Sequence, residues 1–285
     1  MLKRVVFLFK KVDAIDRMKK LFDELNAREI EINIEDIHTR KYPDGETLAG
    51  NTLYVTDCAA CQIRLRMRNL PVLIYLHEDN REEHFWQSEY AIEQIEEVEY
   101  ESLELAYLRL TGQPWTIITT NRCIIRETTT NDVNSFYEIY KEASITDYME
   151  DLFADKDEEI AYIEDYIKNV YKFYGYGMWT IVEKESGKVI GRAGISWREG
   201  FDIPELGFVI GVPWQQQGYA YEVCQAILEY GRKELKFTRF QALVMEGNDK
   251  SERLCRKLGF TYLEDVVLEG HIHKRMVYES SSGDF

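Results

Sequence analysis

The chain has 285 residues, 45% of them hydrophobic and 13% aromatic, which is enough apolar content for packed cores and excludes a disordered protein. With 51 acidic against 35 basic residues its formal charge is −16. That balance excludes a nucleic-acid partner held through clustered Lys and Arg, and it is compatible with a cationic one. Five cysteines, an odd number, do not suggest a disulfide framework. The apolar run Val5–Phe9 is too short for a signal peptide, and no stretch is long enough to cross a bilayer. The expected compartment is therefore a reducing cytoplasm.

In chain order, Arg4–Phe9 reads as a buried strand, 14–26 as an amphipathic helix, Thr52–Thr56 as a strand and 58–69 as a helix. Residues 72–76 form a third strand, and 100–111 a helix ended by Gly112 and Pro114. This alternation predicts a small Rossmann-like parallel sheet with helices on its faces, over residues 1–112. Gln113 to Asn121, uncharged and carrying Pro114, reads as the linker, assigned to 113–120. Beyond it come a strand at 123–128, helices at 132–143 and 157–174, and strands at Met178–Glu183 and Val189–Ser196 joined by the hairpin signal Glu185-Ser186-Gly187-Lys188. A strand at Glu205–Ile210, a helix at 218–234, a strand at 239–244, a helix at 248–258 and strands at 260–264 and 272–278 complete the pattern.

The stretch from Gly207 to Ala220 runs from an apolar strand through Trp214-Gln215-Gln216-Gln217 into a helix that opens on small residues. Such a turn leaves several backbone N–H groups unpaired at the positive end of a helix dipole, which is a cradle for a pyrophosphate. Gly218 and Ala220 are small where a phosphate must approach the backbone. The spacing Gln215-x-x-Gly218-x-Ala220 after a strand resembles the acetyl-CoA loop of the GNAT acetyltransferase family. Asn248-x-x-Ser251 with Lys257-Leu258-Gly259-Phe260, Cys123 to Thr128 opening into Asp132, and Glu205-Leu206-Gly207-Phe208 resemble further stretches of that family, the last two in its RimJ/RimL branch. The four stretches stand in the family's order over about 160 residues, so residues 121–285 are expected to form a mixed-sheet GNAT, or acyl-CoA N-acyltransferase, domain.

The resemblance implies acetyl-CoA as co-substrate, no metal, and transfer of its acetyl group to a primary amine. The acceptor would be a protein N-terminus or a small cationic amine. Members of the RimJ/RimL branch acetylate ribosomal-protein N-termini. The amides of Gln216, Gln217, Gly218, Tyr219 and Ala220 would hold the pyrophosphate, with Gln215 opening the turn. Val209 and Ile210 would pair with the pantetheine arm, one amide polarising the thioester carbonyl. Asn248 and Ser251 would contact the arm or the phosphates, or else cap their own helix. Glu205 is the candidate general base for the amine. Where many members of the family place a tyrosine as general acid, this chain has Cys255, which is either an acid or a buried structural cysteine. Nine acids between Asp147 and Asp165 would form a negative rim at the acceptor entrance, or a solvated helix start. The alternative to an enzyme is an acyl-CoA sensor or interaction module without turnover.

Other signals carry less. Tyr171, Phe173, Tyr174, Tyr176 and Trp179 read as core. Cys58-x-x-Cys61 and His271-x-His273 lack the further ligands of a metal site. The N-terminal half weakly resembles a truncated haloacid-dehalogenase-like fold. Thr56 and Asp57 end a strand as its phosphate-binding threonine would, but Lys10 and Lys11 stand where its catalytic aspartates belong. That half is expected to be catalytically empty, a scaffold, a recruiting module or a homodimer surface.

Overall fold

In the computed structural model, residues 2–10, 13–37, 50–86, 88, 90–149 and 151–279 are described. Lys11 and the rim residue Glu150 lie outside them. The chain divides into two compact units, Met1–Trp115 and Thr116–Phe285.

The first unit is a five-stranded parallel sheet in the order β2-β1-β3-β4-β5. Its elements are β1 (Arg4–Phe9), α1 (Asp13–Asp16), α2 (Lys19–Ala27), β2 (Glu31–Asp36), β3 (Thr52–Thr56), α3 (Ala59–Arg66), β4 (Val72–Tyr75), β5 (Ala91–Ile92) and α4 (Tyr100–Leu110). The continuous apolar runs of β1, β3 and β4 are buried on both faces, as a parallel sheet requires. Leu21 and Leu25 of α2 and Leu103 and Tyr107 of α4 pack with Phe7, Leu53 and Leu73 in one cluster. Leu65 of α3 packs with Val6, Leu8 and Tyr54 in another. Two strands were not predicted. In β2, Ile32 and Ile34 alternate with polar residues, and β5 has only two residues.

The second unit is built on an eight-stranded sheet in the order β12-β13-β11-β10-β9-β8-β7-β6. Its strands are β6 (Thr116–Thr119), β7 (Cys123–Arg126), β8 (Met178–Glu183), β9 (Val189–Ser196), β10 (Glu205–Ile210), β11 (Arg239–Met245), β12 (Thr261–Leu268) and β13 (His271–Glu279). Its helices are α5 (Val133–Tyr140), α6 (Ala143–Thr146), α7 (Lys156–Tyr166), α8 (Lys172–Tyr174), α9 (Tyr219–Lys233) and α10 (Asp249–Lys257). The stretch read as a linker therefore carries β6, whose β-branched Thr116-Ile117-Ile118-Thr119 pairs antiparallel with β7. The predicted helix at 157–174 is interrupted by a π-helical turn over Ile167–Tyr171. β12 and β13 run longer than predicted because Glu269 and Gly270 both take positive φ, the geometry of a two-residue hairpin turn. Of the aromatic group read as core, Tyr171 and Trp179 are buried, whereas Phe173 and Tyr174 face solvent because the helical segment that carries them ends at Gly175, φ +75°.

All neighbouring strands of this sheet are antiparallel except β10 and β11. One face packs on α9 and α10 through Leu206, Ile210, Val223, Ile227 and Cys255. The other packs on α5, α6 and α7 through Phe136, Ile139, Ile145, Ile163 and Val209. Successive residues of β10 thus serve opposite faces: Leu206 and Ile210 look toward α9, and Glu205, Gly207 and Val209 toward α5 and α7.

Candidate active site

β10 and β11 part company at once. Their parallel pairing is confined to Glu205 opposite Gln241, supported by the Gln241 N–H to Pro204 O bond of 2.8 Å. On its other side β10 stays in register with β9 from Glu205 to Ile210. The bond from Gly211 N to Ile190 O, 2.8 Å, sets which amides that ladder uses. Counting back by twos, Val209 and Gly207 donate toward β9, while Phe208 and Ile210 present their amides to the opening beside β11. Of the two residues expected to pair with pantetheine, Ile210 has its amide facing the opening. Val209 has its amide in the β9 ladder, and the Phe208 amide faces the opening beside that of Ile210.

The strand runs into a turn whose shape comes from two glutamines. Gln215 Nε2 donates to Ile210 O at 3.0 Å, and Gln217 Nε2 donates to Pro213 O at 2.7 Å. Gln216 has φ +59° and Gly218 φ +86°. Backbone of alternating hand turns successive N–H groups toward one point, forming an anion-binding nest. Among the described residues the amides of Gln216, Gln217, Gly218, Tyr219 and Ala220 donate to nothing within the chain. They stand at the start of α9, fifteen residues long, where the helix dipole adds its positive end.

A clamp holds this cradle against the turn between β6 and β7. Glu222, in the first turn of α9, accepts from Thr120 Oγ1 at 2.7 Å, Arg122 N at 2.8 Å and Arg122 Nε at 2.7 Å. Burial alone would push the Glu222 carboxyl up, but these donors outweigh it and hold it below its ordinary value. Arg122 then reaches the turn itself, with Nη1 3.0 Å from Gln217 O and its guanidinium carbon 4.1 Å from the centre of the Tyr219 ring. The Tyr219 hydroxyl in turn donates to Glu183. Lys250, in the first turn of α10, adds a positive charge with Nζ 3.4 Å from Gln215 Oε1. Sequence reading passed over Arg122 and Lys250, since neither belongs to the motif. A basic residue at a strand start or helix start gives no signal until the fold brings it to the turn.

Asn248 is the N-cap of α10, its Oδ1 accepting from Ser251 N at 3.2 Å. The capping alternative is thus realised. Glu205 lies at the narrow end of the opening, mostly buried, and accepts from Arg198 Nε at 2.9 Å. Cys255 is fully buried between α10 and the sheet, and burial pushes its thiol up to about 12. Its burial supports the alternative of a structural cysteine.

On the face of α5 and α7, the connection after α6 bends toward the loop leaving β11. The Tyr148 ring lies 3.8 Å from where a Cβ on Gly247 would stand. Of the acids around it, Asp147, Asp151, Asp155, Asp157, Glu158, Glu164 and Asp165 are exposed. Asp155 caps α7 by accepting from Asp157 N at 2.9 Å. Glu159 is instead buried, accepting from Phe153 N at 3.2 Å. No group of three His, Cys, Asp or Glu suited to a metal occurs among the described residues, and the five cysteines are free thiols. No helix of the described residues is long and apolar enough to cross a membrane.

A strand splayed from its parallel neighbour and leading into an amide-lined cradle is the arrangement of an acyl-CoA-dependent acyltransferase. Residues 122–261 match the model of the acetyltransferase (GNAT) domain. The chain is 31% identical over 143 residues to an uncharacterized N-acetyltransferase, YnaD, of Bacillus subtilis, a match that covers 50% of this chain and 81% of that protein. It is 32% identical over 111 residues to the [ribosomal protein uS5]-alanine N-acetyltransferase of Escherichia coli, covering 37% of this chain and 55% of that one. Among solved structures, RimL, a ribosomal L7/L12 alpha-N-protein acetyltransferase, aligns over 60% of this chain and 97% of its own at TM-score 0.52 and 15% identity, a likeness of fold. The chain belongs to the GNAT acetyltransferase family. It is an acetyl-CoA-dependent acyltransferase with acetyl-CoA as its co-substrate.

Proposed function

We propose that this enzyme acetylates a primary amine, on a protein N-terminus or a small cationic molecule, by direct attack on the thioester, with Glu205 as general base. One observation carries the reading: the divergence of β10 from β11 beyond Glu205, opening straight into the five free amides of the cradle. Residues Gln216 to Ala220 fit a pyrophosphate, and the Phe208 and Ile210 amides fit an extended amide-bearing arm laid beside β10. When bound, acetyl-CoA supplies the activated acetyl group. Glu205 shares the face of Gly207 and Val209, where the exposed acids of α7 also stand, and its carboxylate takes the proton that the amine must lose. Arg198 holds that carboxylate in one orientation. The nitrogen–carbon bond forms, the carbon–sulfur bond breaks, and the thiolate leaves without a dedicated acid. An amide facing the thioester oxygen is worth about 3–4 kcal/mol in such a step.

The relative that acetylates ribosomal protein uS5 supports an amine on a protein, and the acidic rim supports a cationic one. Residues 1–112 we read as a separate domain without chemistry of its own, reduced from a haloacid-dehalogenase-like fold and available for recruitment or dimerisation. There Thr56 Oγ1 is committed to Leu8 O at 2.7 Å, and the Lys10 amide to Asp57 Oδ1 at 2.8 Å. The test is release of free CoA thiol from acetyl-CoA in the presence of polyamines, amino acids, aminoglycosides and basic peptides. Acetyl-CoA that binds but is never consumed by any amine would reduce the protein to an acyl-CoA sensor.

A further inference from the structure

The second unit holds a guanidinium for which the acetyl transfer described above has no use. Arg192 is on β9 directly opposite Val209, so its side chain rises on the α5 and α7 face, the face shared by Glu205. Its guanidinium carbon stands 4.7 Å from the centre of the Phe136 ring. Tyr140, Tyr162, Tyr166 and Tyr171 lie close enough to interact with it electrostatically.

What this cation lacks is an anion. No carboxylate among the described residues forms an ion pair with Arg192, and its Nε is out of reach of solvent with no acceptor. The buried acid of the neighbouring helix, Glu159, is turned to the Phe153 N–H. The tyrosines that wall the site also make bonds elsewhere: Tyr166 Oη accepts from Met178 N at 2.8 Å, and Tyr171 Oη accepts from Thr128 N at 3.2 Å while donating to Met178 O. An unsatisfied donor on a charged group is among the costliest things to bury, and a planar guanidinium is matched best by a carboxylate that accepts two of its N–H groups. Arg192 as a whole is half-buried, so part of its surface meets solvent.

The positions between Arg192 and Glu205 are glycines. The two residues that separate these positions on the same face, Gly194 of β9 and Gly207 of β10, sit opposite one another and carry no side chains. The Gly177–Met178 backbone lies where a Gly194 Cβ would stand, and the Met178 sulfur lies 3.2 Å from where a Gly207 Cβ would stand. Arg192 and Glu205 thus stand at the two ends of one strip of this face, with the flexible Met178 side chain between them.

Resting on the acetyltransferase reading, we propose that Arg192 is a specificity residue that binds a carboxylate of the acceptor, so that the true acceptor is an amine that also carries a carboxylate. The acids of α7 then act on its ammonium end and Arg192 on its carboxylate end.

The experiment compares matched pairs of acceptors, free α- and ω-amino acids of increasing length and their carboxamides, by kcat/KM for CoA release with the full chain. A charge-assisted bond of this kind gives a preference for the acid of about 10- to 100-fold. Arg192→Gln should bring the ratio to about one by raising KM for the acid alone, and Arg192→Lys should restore part of it. Carboxamides accepted as well as acids by the unaltered enzyme would overturn the proposal. So would failure of both members of every pair while acetyl-CoA still binds. Should Arg192→Gln not fold, the ratio in the unaltered enzyme decides. Titration with acetyl-CoA alone separates the two readings: lost binding refutes the acetyltransferase site, whereas retained binding without a carboxylate preference refutes only the role of Arg192.

Discussion

Gly218 is where the geometry of the cradle can be tested most sharply. Its φ of +86° lies beyond the range that L residues adopt without strain, at about 1–2 kcal/mol for a residue with a Cβ. A Cβ there would also stand 3.4 Å from Arg122 Nη2. That guanidinium cannot readily move, because its Nε is tied to Glu222 at 2.7 Å and its Nη1 to Gln217 O at 3.0 Å. If the turn relaxes to escape this strain, the same energy is lost from binding, and each 1.4 kcal/mol is a factor of ten in Kd. Gly218→Ala should therefore weaken acetyl-CoA about 5- to 30-fold. Asn tolerates positive φ better, so Gly218→Asn should lose less. Gly218→Asp shares that tolerance but places a carboxylate where the pyrophosphate belongs, and should show no saturable binding at millimolar acetyl-CoA. Titration calorimetry on the four proteins, with melting of each apo form as a control for folding, reads these effects. Equal affinities of the Asn and Asp variants would refute the argument, because they differ only in charge.

Further expectations concern the chemistry and the frame around it. Glu205→Gln should lower kcat by about 10²–10³ with acetyl-CoA affinity nearly unchanged, and unchanged turnover would mean that another base or bulk water takes the proton. Raising salt from about 0.05 to 0.5 M, which shortens the screening length from roughly 14 to 4 Å, should lower kcat/KM for the acceptor several-fold. Neutralising the exposed Asp155, Asp157 and Glu158 should remove that dependence, and an unaltered salt profile would leave them as helix-start charges. Cys255→Ala should keep kcat within about twofold while lowering the melting temperature by opening a cavity; a large loss of kcat with normal substrate binding would restore its catalytic role. Asp132 is mostly buried, and Arg126 forks onto it with Nη1 to Oδ2 and Nη2 to Oδ1 both at 2.7 Å. Burial would push its carboxyl up, but Arg126, the Thr129 amide and the Thr180 hydroxyl outweigh this and hold it below the usual carboxylate value. A depressed group of this kind contributes stability that is complete above its unfolded pKa, about 3.9, and is lost as pH falls through the lower folded value. Asp132→Ala should cost about 3–5 kcal/mol at pH 7 by leaving Arg126 uncompensated, and its penalty should shrink in acid; a penalty independent of pH would contradict this.

The architecture was legible wherever the pattern is local. Buried runs such as Val5–Phe9, the Gly187 hairpin and the strand–turn–helix from Glu205 to Lys233 announce themselves by period and by turn chemistry. The cradle could be read from the spacing of Gln215, Gly218 and Ala220, because it is made of backbone that those residues shape. Side chains that converge from distant strands could not be read. Arg122, nearly a hundred residues before Gln217 in sequence, enters the site only through the packing of the β6–β7 turn on the start of α9. Arg192 looks like an ordinary strand residue until Phe136 and the tyrosines close round it. The distinction between Val209 and Ile210 was hidden for another reason. Which amide faces an opening depends on strand register, and register becomes visible only once the partner strands are in place.

The most direct test of the acetyl-CoA site is amide hydrogen exchange of the full chain with and without acetyl-CoA. Saturating acetyl-CoA should slow exchange at Phe208 and Ile210 and at Gln216 through Ala220, the amides that are free of internal acceptors in the unliganded fold. The Val209 amide, already within the β9 ladder, should change little. Protection confined to other segments, or none at millimolar acetyl-CoA, would contradict a site built from the β10 opening and the α9 cradle.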